Sequence, residues 1–241
     1  MKIALIGYGK MGQEIEKIAV ERGHDIDLII DVDNRSDLNP ENLKSIDVAI
    51  EFTIPSAAIE NFKDCFTGNV PVVTGTTGWL DRFDEIKAIC ETRQKGLFFA
   101  PNFSLGVNVF FKLSEYLAKI MDQLDDYELD ITETHHIHKK DAPSGTAIKL
   151  ADDILKYIKR KTSWELSDRE REVKKDAIKI KAIRENNIPG IHTIHYESMV
   201  DDIIITHSAK NRKGFALGAV LAAEFMKGKQ GVYDMNDLLQ I

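Results

Sequence analysis

The sequence predicts an α/β fold in which a doubly wound parallel sheet is combined with a second, α+β domain built on a mixed or antiparallel sheet. Two observations support this prediction. Over residues 1–102, short apolar runs alternate with helical periodicity, a pattern typical of parallel strands covered by helices on both faces. After Asn102 the pattern changes, and the later apolar runs are separated by turn residues, which favours antiparallel pairing.

The first domain is predicted to contain five buried strands connected by helices. Its first helix illustrates the pattern, since Met11, Ile15 and Ala19 recur at helical spacing and Gly23 provides a stop. Right-handed crossovers between such strands build a doubly wound sheet. The predicted strands are residues 2–6, 26–31, 46–52, 70–74 and 97–100, and the predicted helices are residues 10–22, 56–66 and 81–93.

The second domain is predicted to combine helices with a small sheet. Residues 160–176 are highly charged and lack an apolar period, so we interpret them as a solvated loop or an irregular helix. Three strand candidates follow, and the turns between them favour antiparallel pairing. The predicted elements are a helix at 105–121, a strand at 127–134, a helix at 146–158, strands at 177–183, 191–196 and 203–208, a helix at 215–226 and a short terminal segment.

Composition limits the classes of protein to which the chain can belong. It has 43% hydrophobic and 29% charged residues, and no apolar run approaches the ~18 residues of a membrane span. Lys2 leads at once into an apolar run with no room for a signal peptide, so we expect a cytoplasmic protein. The net charge of −7 argues against nucleic acid as the main partner. Cys65 and Cys90 lack metal-type spacing and are expected to be reduced thiols.

A glycine-rich turn follows the first strand and opens the first helix. Gly7 permits the tight turn, Gly9 allows a pyrophosphate to approach the backbone, and Gly12 lets the helix pack on the strand. The helix N-terminus then presents free N–H groups to the phosphates. This G-x-G-x-x-G pattern predicts a Rossmann-type dinucleotide site. Its residues are Gly7, Tyr8, Gly9, Lys10, Met11 and Gly12.

An acidic residue at the end of the second predicted strand bears on the choice of dinucleotide. Asp31 lies 19 residues after Gly12, where a carboxylate binds the ribose 2′-hydroxyl and repels a 2′-phosphate. Arg35 lies close by and could accept a 2′-phosphate. The sequence therefore favours NADH as the cofactor and leaves NADPH open.

Two further loops follow the fourth and fifth predicted strands. Ligands of open α/β sheets bind in the crevice beyond the carboxyl ends of such strands, and glycine there permits close approach of the backbone. We therefore predict that both loops contribute to the cofactor cleft, although ordinary turn chemistry is an alternative. The predicted contacts are Gly75, Thr76, Thr77, Ala100, Pro101, Asn102 and Phe103.

The densest chemistry lies in residues 133–146, which hold three of the seven histidines. A metal site is one interpretation, but no cysteine accompanies the histidines and cationic lysines follow at once. A polar surface loop is another. We favour an anion site with proton donors, because histidine transfers protons near neutral pH and lysine neutralises carboxylates. Ser144, Gly145 and Thr146 would bind a carboxylate at a helix N-terminus, and no metal is predicted.

The same segment resembles the signature of the dihydrodipicolinate reductase family, now called 4-hydroxy-tetrahydrodipicolinate reductases, which act in the diaminopimelate route of bacterial lysine biosynthesis. The resemblance spans nearly the whole chain. It rests on residues 7–12, 75–79, 102–104, 133–146 and 215–220.

The resemblance implies that a cyclic dicarboxylate is reduced to tetrahydrodipicolinate by NADH or NADPH, with loss of water from the hydrated substrate. It implies that His135 is the acid/base residue and Lys139 the proton donor. His136, Gly145 and Thr146 would bind the substrate carboxylates.

The resemblance also implies an assembly and a domain division. Members of this family form homotetramers through the sheet of the second domain, and their last helix returns to the first domain. The expected domains are therefore residues 1–103 with 212–241 for the dinucleotide, and residues 104–211 for substrate binding and oligomerisation.

Two positions depart from the family pattern. Glu185 follows Arg184 where the family usually has glycine, which bears on the conformation of that loop. Val32 follows Asp31 where arginine is frequent, which favours NADH further.

Two other functions are compatible with parts of the sequence. The first is a related two-domain dehydrogenase acting on another small amino or keto acid. The second is a nucleotide-binding sensor or scaffold without turnover, which the cluster of residues 133–146 argues against.

Overall fold

A computed structural model describes residues 1–167, 173–211 and 213–241. The chain forms two compact units, one of Met1–Leu105 with Lys213–Ile241 and one of Gly106–Arg212. The first unit is discontinuous because the C-terminal segment adds helices and a strand to it. Residue 212, where the returning segment is predicted to begin, lies outside the described residues.

Helices and strands alternate in the first unit and follow a more varied order in the second. In chain order they are β1 (Lys2–Ile6), α1 (Lys10–Glu21), β2 (Asp25–Ile30), α2 (Pro40–Leu43), β3 (Val48–Glu51), α3 (Pro55–Thr67), β4 (Val72–Thr74), α4 (Phe83–Arg93), β5 (Gly96–Phe99), α5 (Leu105–Met121), β6 (Glu128–His135), α6 (Gly145–Leu155), β7 (Ser163–Leu166), β8 (Ala177–Arg184), β9 (Ile191–Glu197), β10 (Asp202–Ser208), α7 (Lys213–Met226), β11 (Gly231–Tyr233) and α8 (Met235–Leu239).

The sheet of the first unit is parallel throughout and has the order β11-β5-β4-β3-β1-β2. The order reverses at β1, whose two edges pair with β2 and β3. This is the doubly wound topology that the sequence predicts. Every residue of β3 and β4 is buried, as expected when helices cover both faces of a parallel sheet.

Two apolar clusters pack against this sheet. One contains Ile15 of α1 and Ala219 of α7, and the other contains Phe62 of α3 and Ile86 of α4. Gly218 of α7 lies against the chain after β5, where an added Cβ would be only 1.8 Å from the Phe103 carbonyl oxygen. Only glycine allows this approach.

The second unit is built on a mixed sheet with the order β10-β9-β6-β8-β7. Strand β9 pairs antiparallel with both β10 and β6, whereas β8 pairs parallel with β6 and with β7. The expectation of antiparallel pairing is therefore correct for β9 and β10 but wrong for β8. Strand β6 lies between β8 and β9, and spacing along the chain does not reveal such an insertion.

The sequence also missed several short elements. Strand β7 lies within the charged segment 160–176, of which residues 168–172 lie outside the described part. A 3₁₀ turn at Val32–Asp37, helix α2, strand β11 and helix α8 were not predicted. His135 ends strand β6 and does not belong to the loop. Within the described ranges, none of the helices has the length and apolar content needed to cross a membrane.

Candidate active site

A cleft of about 510 Å³ lies beyond the carboxyl ends of β1, β2 and β3. It is formed by the glycine-rich turn, the segment after β2, and the chain that leads from β3 into α3. Its lining residues are Ile6, Gly7, Tyr8, Gly9, Ile30, Asp31, Val32, Arg35, Phe52, Thr53, Ile54, Ala57 and Asn61.

The glycine-rich turn shapes this cleft through missing side chains. Gly7 has φ +90°, and a Cβ there would lie 2.1 Å from the Phe52 carbonyl oxygen. A Cβ on Gly12 would lie 2.3 Å from the Gly7 carbonyl oxygen. Gly9 precedes α1 without a side-chain cap, and no atom lies within 4 Å of the position of its absent Cβ. Uncapped N–H groups beside open space are suited to a diphosphate.

Asp31 lies just past the end of β2, not within the strand as predicted. Its side chain accepts a hydrogen bond from Val32 N (2.9 Å) and starts the 3₁₀ turn, but the residue remains exposed in the cleft. Arg35 also lines the cleft, and its Nη2 donates to Asp64 on α3 at 2.6 Å. The residue that could accept a 2′-phosphate is thus already paired with a carboxylate.

Residues of the loop after β4 make packing and hydrogen-bond contacts within the protein that the sequence did not reveal. A Cβ on Gly75 would lie 2.2 Å from the Phe52 ring, so glycine is required there for packing. Thr76 is buried, and its Oγ1 accepts a hydrogen bond from Thr53 N (2.8 Å). Thr77 is exposed. Among the described residues, the lining of the cleft includes none of these three.

Residues of the loop after β5 also make contacts within the protein. Ala100 and Phe103 are buried, and the Phe103 ring packs against Phe52. Asn102 Oδ1 accepts a hydrogen bond from Ser104 N (2.9 Å), and Pro101 is exposed. Their predicted contact with the cofactor stays a prediction, as does that of Lys10 and Met11 at the start of α1.

A buried carboxylate at the end of β3 was not predicted. Glu51 is fully buried and accepts hydrogen bonds from Thr53 Oγ1 and Thr74 Oγ1, the latter at 2.6 Å. These bonds connect the ends of β3 and β4. Glu51 therefore connects the segment at Thr53, which lines the cleft, to the end of β4.

The second unit gathers charged side chains at the carboxyl end of β6. The core-facing residues of this strand are first apolar, at Leu129 and Ile131, and then titratable, at Glu133 and His135. Glu133 is 0% exposed and His135 is 7% exposed. Because a buried charge without partners is strongly unfavourable, these groups require neighbours that satisfy them.

Glu133 has hydrogen-bond donors at both carboxylate oxygens. His135 Nδ1 contacts Oε2, while Arg184 Nη2 (2.9 Å) and Ser144 N (3.2 Å) donate to Oε1. Burial alone would raise the pKa of Glu133, but the bonds from His135 and Arg184 hold that pKa below its ordinary value. Glu133 is therefore ionised near neutral pH.

A second buried histidine comes from the neighbouring strand. His192 of β9 lies opposite Glu133 in the register of the sheet, and its Nε2 is 3.0 Å from Ser144 Oγ. Burial, with a smaller effect of His135, lowers the pKa of His192 to about 4. Its imidazole is therefore neutral at physiological pH.

The three residues predicted to bind a carboxylate differ in accessibility. Ser144 is 2% exposed and caps α6, since its Oγ accepts from Ala147 N (3.3 Å). Gly145 is exposed, with no atom within 4 Å of its absent Cβ, and Thr146 is half-buried. Ser144 thus supports the start of α6, and Gly145 and Thr146 are more accessible; the binding of a carboxylate by these three residues stays a prediction.

Arg184 connects this cluster to the loop that carries Lys139. Its Nε donates to the Lys139 carbonyl (3.3 Å) and its Nη2 to the Asp141 carbonyl (2.6 Å). Lys139 Nζ forms an ion pair with Asp141 at 2.8 Å. Glu185 N donates to the His135 carbonyl (2.8 Å), so the departure from glycine is accommodated by continued pairing along β6. His136 is half-buried beside this loop, and its Nδ1 has no partner among the described residues.

Ligand atoms of Glu133, His135 and His192 lie within 4.8 Å of one another, close enough to consider a metal ion. However, both oxygens of Glu133 are already engaged, and one of them carries the Arg184 guanidinium. A neighbouring cation is unfavourable for a second positive charge. The arrangement is better suited to proton transfer than to metal binding.

Sequence reasoning gave no role to Glu133, His192 or Asp64. Glu133 shares the predicted strand with His135 at a spacing of two, which places both on one face, so this pair could have been found. His192 and Asp64 depend on which strands and helices are neighbours, and no local motif marks them.

Comparison with known proteins finds two family models that match consecutive parts of the chain. The family model "Dihydrodipicolinate reductase, N-terminus" matches residues 1–103, and "Dihydrodipicolinate reductase, C-terminus" matches residues 106–239. The 4-hydroxy-tetrahydrodipicolinate reductase of Christiangramia forsetii is 50% identical over 240 residues, covering 99% of this chain and 98% of the relative. That of Archaeoglobus fulgidus is 35% identical and covers 100% of both chains.

A solved structure shares the fold. The dipicolinate-bound dihydrodipicolinate reductase from Paenisporosarcina sp. TG-14 aligns with a TM-score of 0.81 at 24% identity, covering 97% of both chains. With both family models matched in order and close relatives matched end to end, the chain belongs to the dihydrodipicolinate reductase family of NAD(P)H-dependent oxidoreductases.

Proposed function

We propose that this protein reduces 4-hydroxy-tetrahydrodipicolinate to tetrahydrodipicolinate in the diaminopimelate route of lysine biosynthesis, with NADH as the preferred reductant. The observation that carries the proposal is the buried Glu133–His135 pair, bonded to the N-terminus of α6 and to the Lys139 loop through Arg184. Acid/base groups beside the accessible first turn of α6, at Gly145 and Thr146, suit a dicarboxylate whose reduction consumes a proton.

The cleft of the first unit fits a dinucleotide. The uncapped start of α1 beside Gly9 suits the diphosphate, and exposed Asp31 suits a ribose 2′-hydroxyl. Asn61 lines the cleft and is 1% exposed, and its Oδ1 is without a partner in the described chain, which leaves one acceptor for a ligand donor. Arg35 is paired with Asp64, which supports NADH over NADPH.

The chain's own residues handle the substrate carboxylates and the proton. Gly145 and Thr146 offer N–H groups to one carboxylate, and His136 approaches the other. Bound NADH supplies the hydride, and the hydroxyl of the hydrated substrate leaves as water. Hydride transfer together with loss of the hydroxyl as water consumes one proton. Lys139 would donate this proton, and His135 would act as the acid/base residue.

We also propose that the protein is a homotetramer assembled through the open face of the second sheet. Apolar residues of α5 and α6 cover one face. The other face carries Ile204, which is 59% exposed, and side chains bonded to one another across strands, such as Thr193 with Thr206 (2.9 Å) and His195 with Asp130 (3.1 Å). Light scattering should give four times the mass of one chain, and a monomer would contradict this proposal.

The location proposed for the enzyme is the cytoplasm. Cys65 and Cys90 are buried free thiols, as is usual for proteins of a reducing compartment. Burial raises the pKa of the Cys90 thiol to about 11 and that of Cys65 even further, so both stay protonated.

The decisive assay compares NADH and NADPH oxidation by the purified protein with enzymatically generated 4-hydroxy-tetrahydrodipicolinate. Rapid oxidation with a preference for NADH is expected. Turnover only with another amino or keto acid would favour the related dehydrogenase, and NADH binding without any turnover would favour a sensor.

A further inference from the structure

We propose that Glu133 is a positioning residue that fixes the tautomer of His135, so that Nε2 is the nitrogen that exchanges a proton with substrate. The inference rests on the proposed reductase function only for its catalytic meaning. The tautomer of His135 can be measured in the protein without any ligand.

The hydrogen bonds around Glu133 determine which nitrogen of His135 carries the proton. Glu133 Oε1 receives Arg184 Nη2 and Ser144 N, both obligatory donors, and Oε2 faces His135 Nδ1. An ionised carboxylate only accepts hydrogen bonds. Nδ1 must therefore be the protonated nitrogen of the neutral ring, and it donates to Glu133.

The opposite nitrogen of His135 is left available. Gly190, which adopts φ +157°, lies beside it, and a Cβ there would be 3.0 Å from His135 Nε2. The missing side chain keeps space at the nitrogen that has the free lone pair. Nε2 is thus the atom oriented to take up or deliver a proton.

Glu133→Gln separates this role from simple packing, because it keeps the shape of the side chain. Two obligatory donors face Oε1, so the amide oxygen is expected to occupy that position. The amide NH₂ group would then face His135 Nδ1 and donate to it. The neutral ring would have to change to the Nε2–H tautomer, which has no lone pair at Nε2.

The test is ¹⁵N NMR of histidine-labelled protein without ligand, at a pH where His135 is neutral, with the resonance assigned by its loss in His135→Ala. Wild type should show a protonated Nδ1, and Glu133→Gln a protonated Nε2. Glu128→Gln is the control, since it changes an exposed glutamate of the same strand and should leave His135 unchanged.

In steady-state kinetics, Glu133→Gln should lower kcat by about 10²-fold or more, because His135 is then in the wrong tautomer. NADH binding should be unchanged. A wild-type Nε2–H tautomer would overturn the proposal even if the variant does not fold, and so would a folded variant with unaltered tautomer and rate. If wild type shows the Nδ1–H tautomer but no reductase activity, the proposed function fails while the positioning by Glu133 stands.

Discussion

Two helices begin at the two candidate binding sites, and they begin in different ways. Helix α1 starts after Gly9, which has no side chain and no neighbouring atom within 4 Å of the absent Cβ. Helix α6 starts after Ser144, whose hydroxyl caps the helix and contacts buried His192. The first site is shaped by missing side chains, and the second by buried side chains that hold one another in place.

This difference predicts that the two sites respond to opposite kinds of substitution. A site built from backbone atoms and open space should bind its ligand less well when a side-chain atom is added to it. Loss of a neighbouring side chain should affect it less. A site built from buried charged groups is impaired when a partner is removed, because the remaining groups lose their compensation.

Removal of the acid/base group should have the largest effect. We expect His135→Ala to lower kcat/KM by about 10²- to 10⁴-fold, as for loss of a general acid/base residue, with NADH affinity unchanged. His138→Ala, which alters an exposed histidine of the same segment, should have nearly wild-type activity. Steady-state kinetics of both variants check this, and a His135→Ala variant as active as His138→Ala would show that the segment is only a polar surface loop.

The buried neutral His192 should make stability depend on pH. Its pKa is lowered by burial to about 4 in the folded protein and is ordinary, about 6.5, in the unfolded chain. The unfolded state therefore binds more protons as pH falls from about 6.5 to about 4, and the free energy of unfolding should fall by about 3 kcal/mol. Denaturant unfolding of wild type and His192→Asn checks this, since the variant should lack that part of the slope. Identical slopes would contradict a neutral buried His192.

Adding one carbon at the start of each helix should distinguish the two sites. Neither Gly9 nor Gly145 has an atom within 4 Å of its absent Cβ, so alanine should leave the melting temperature nearly unchanged. Gly9→Ala is expected to weaken NADH binding by roughly 10-fold, about 1.4 kcal/mol. Gly145→Ala should instead raise KM for the dicarboxylate. Calorimetry and kinetics can separate these effects, and loss of the same ligand in both variants would contradict the assignment.

The smallest expected effect concerns the Arg35–Asp64 ion pair. Both side chains are about 40% exposed, and such pairs contribute at most ~1 kcal/mol. Asp64→Asn should therefore raise the ratio of NADPH to NADH kcat/KM by up to roughly 5-fold. Asp33→Asn removes an exposed charge from the same turn as Arg35 and controls for net charge. An equal shift in both variants would show that Asp64 does not act through Arg35.

The geometry of the first site could be predicted from the sequence more fully than that of the second, for a physical reason. A glycine turn between a strand and a helix is local, so residues 7–12 indicate their own geometry. His135 and Lys139 could also be proposed locally, because they lie within one segment. Their partners could not: Arg184 belongs to β8 and His192 to β9, and both meet Glu133 only because β6 lies between those strands.

Two of the predicted site residues also have contacts within the protein that the sequence did not reveal. Gly75 is predicted to let a ligand approach the backbone, and the structure adds that its absent side chain makes room for Phe52; the contact with the cofactor stays a prediction. Ser144 is predicted to contact substrate, and the structure adds that it is buried and supports the start of α6; its contact with substrate stays a prediction. Contacts between distant segments decide such cases, and periodicity does not encode them.

Transfer of deuterium tests most directly that this protein moves a hydride from NADH to the lysine-pathway dicarboxylate. NADH carrying deuterium on the reactive face of nicotinamide C4 is incubated with the enzyme and freshly generated 4-hydroxy-tetrahydrodipicolinate, and the product is analysed by mass spectrometry. Tetrahydrodipicolinate heavier by one mass unit is expected with wild type and is expected to be nearly absent with His135→Ala. The proposed reaction would be contradicted if no product forms. It would also be contradicted if the product lacks deuterium both with NADH labelled on one face of nicotinamide C4 and with NADH labelled on the other.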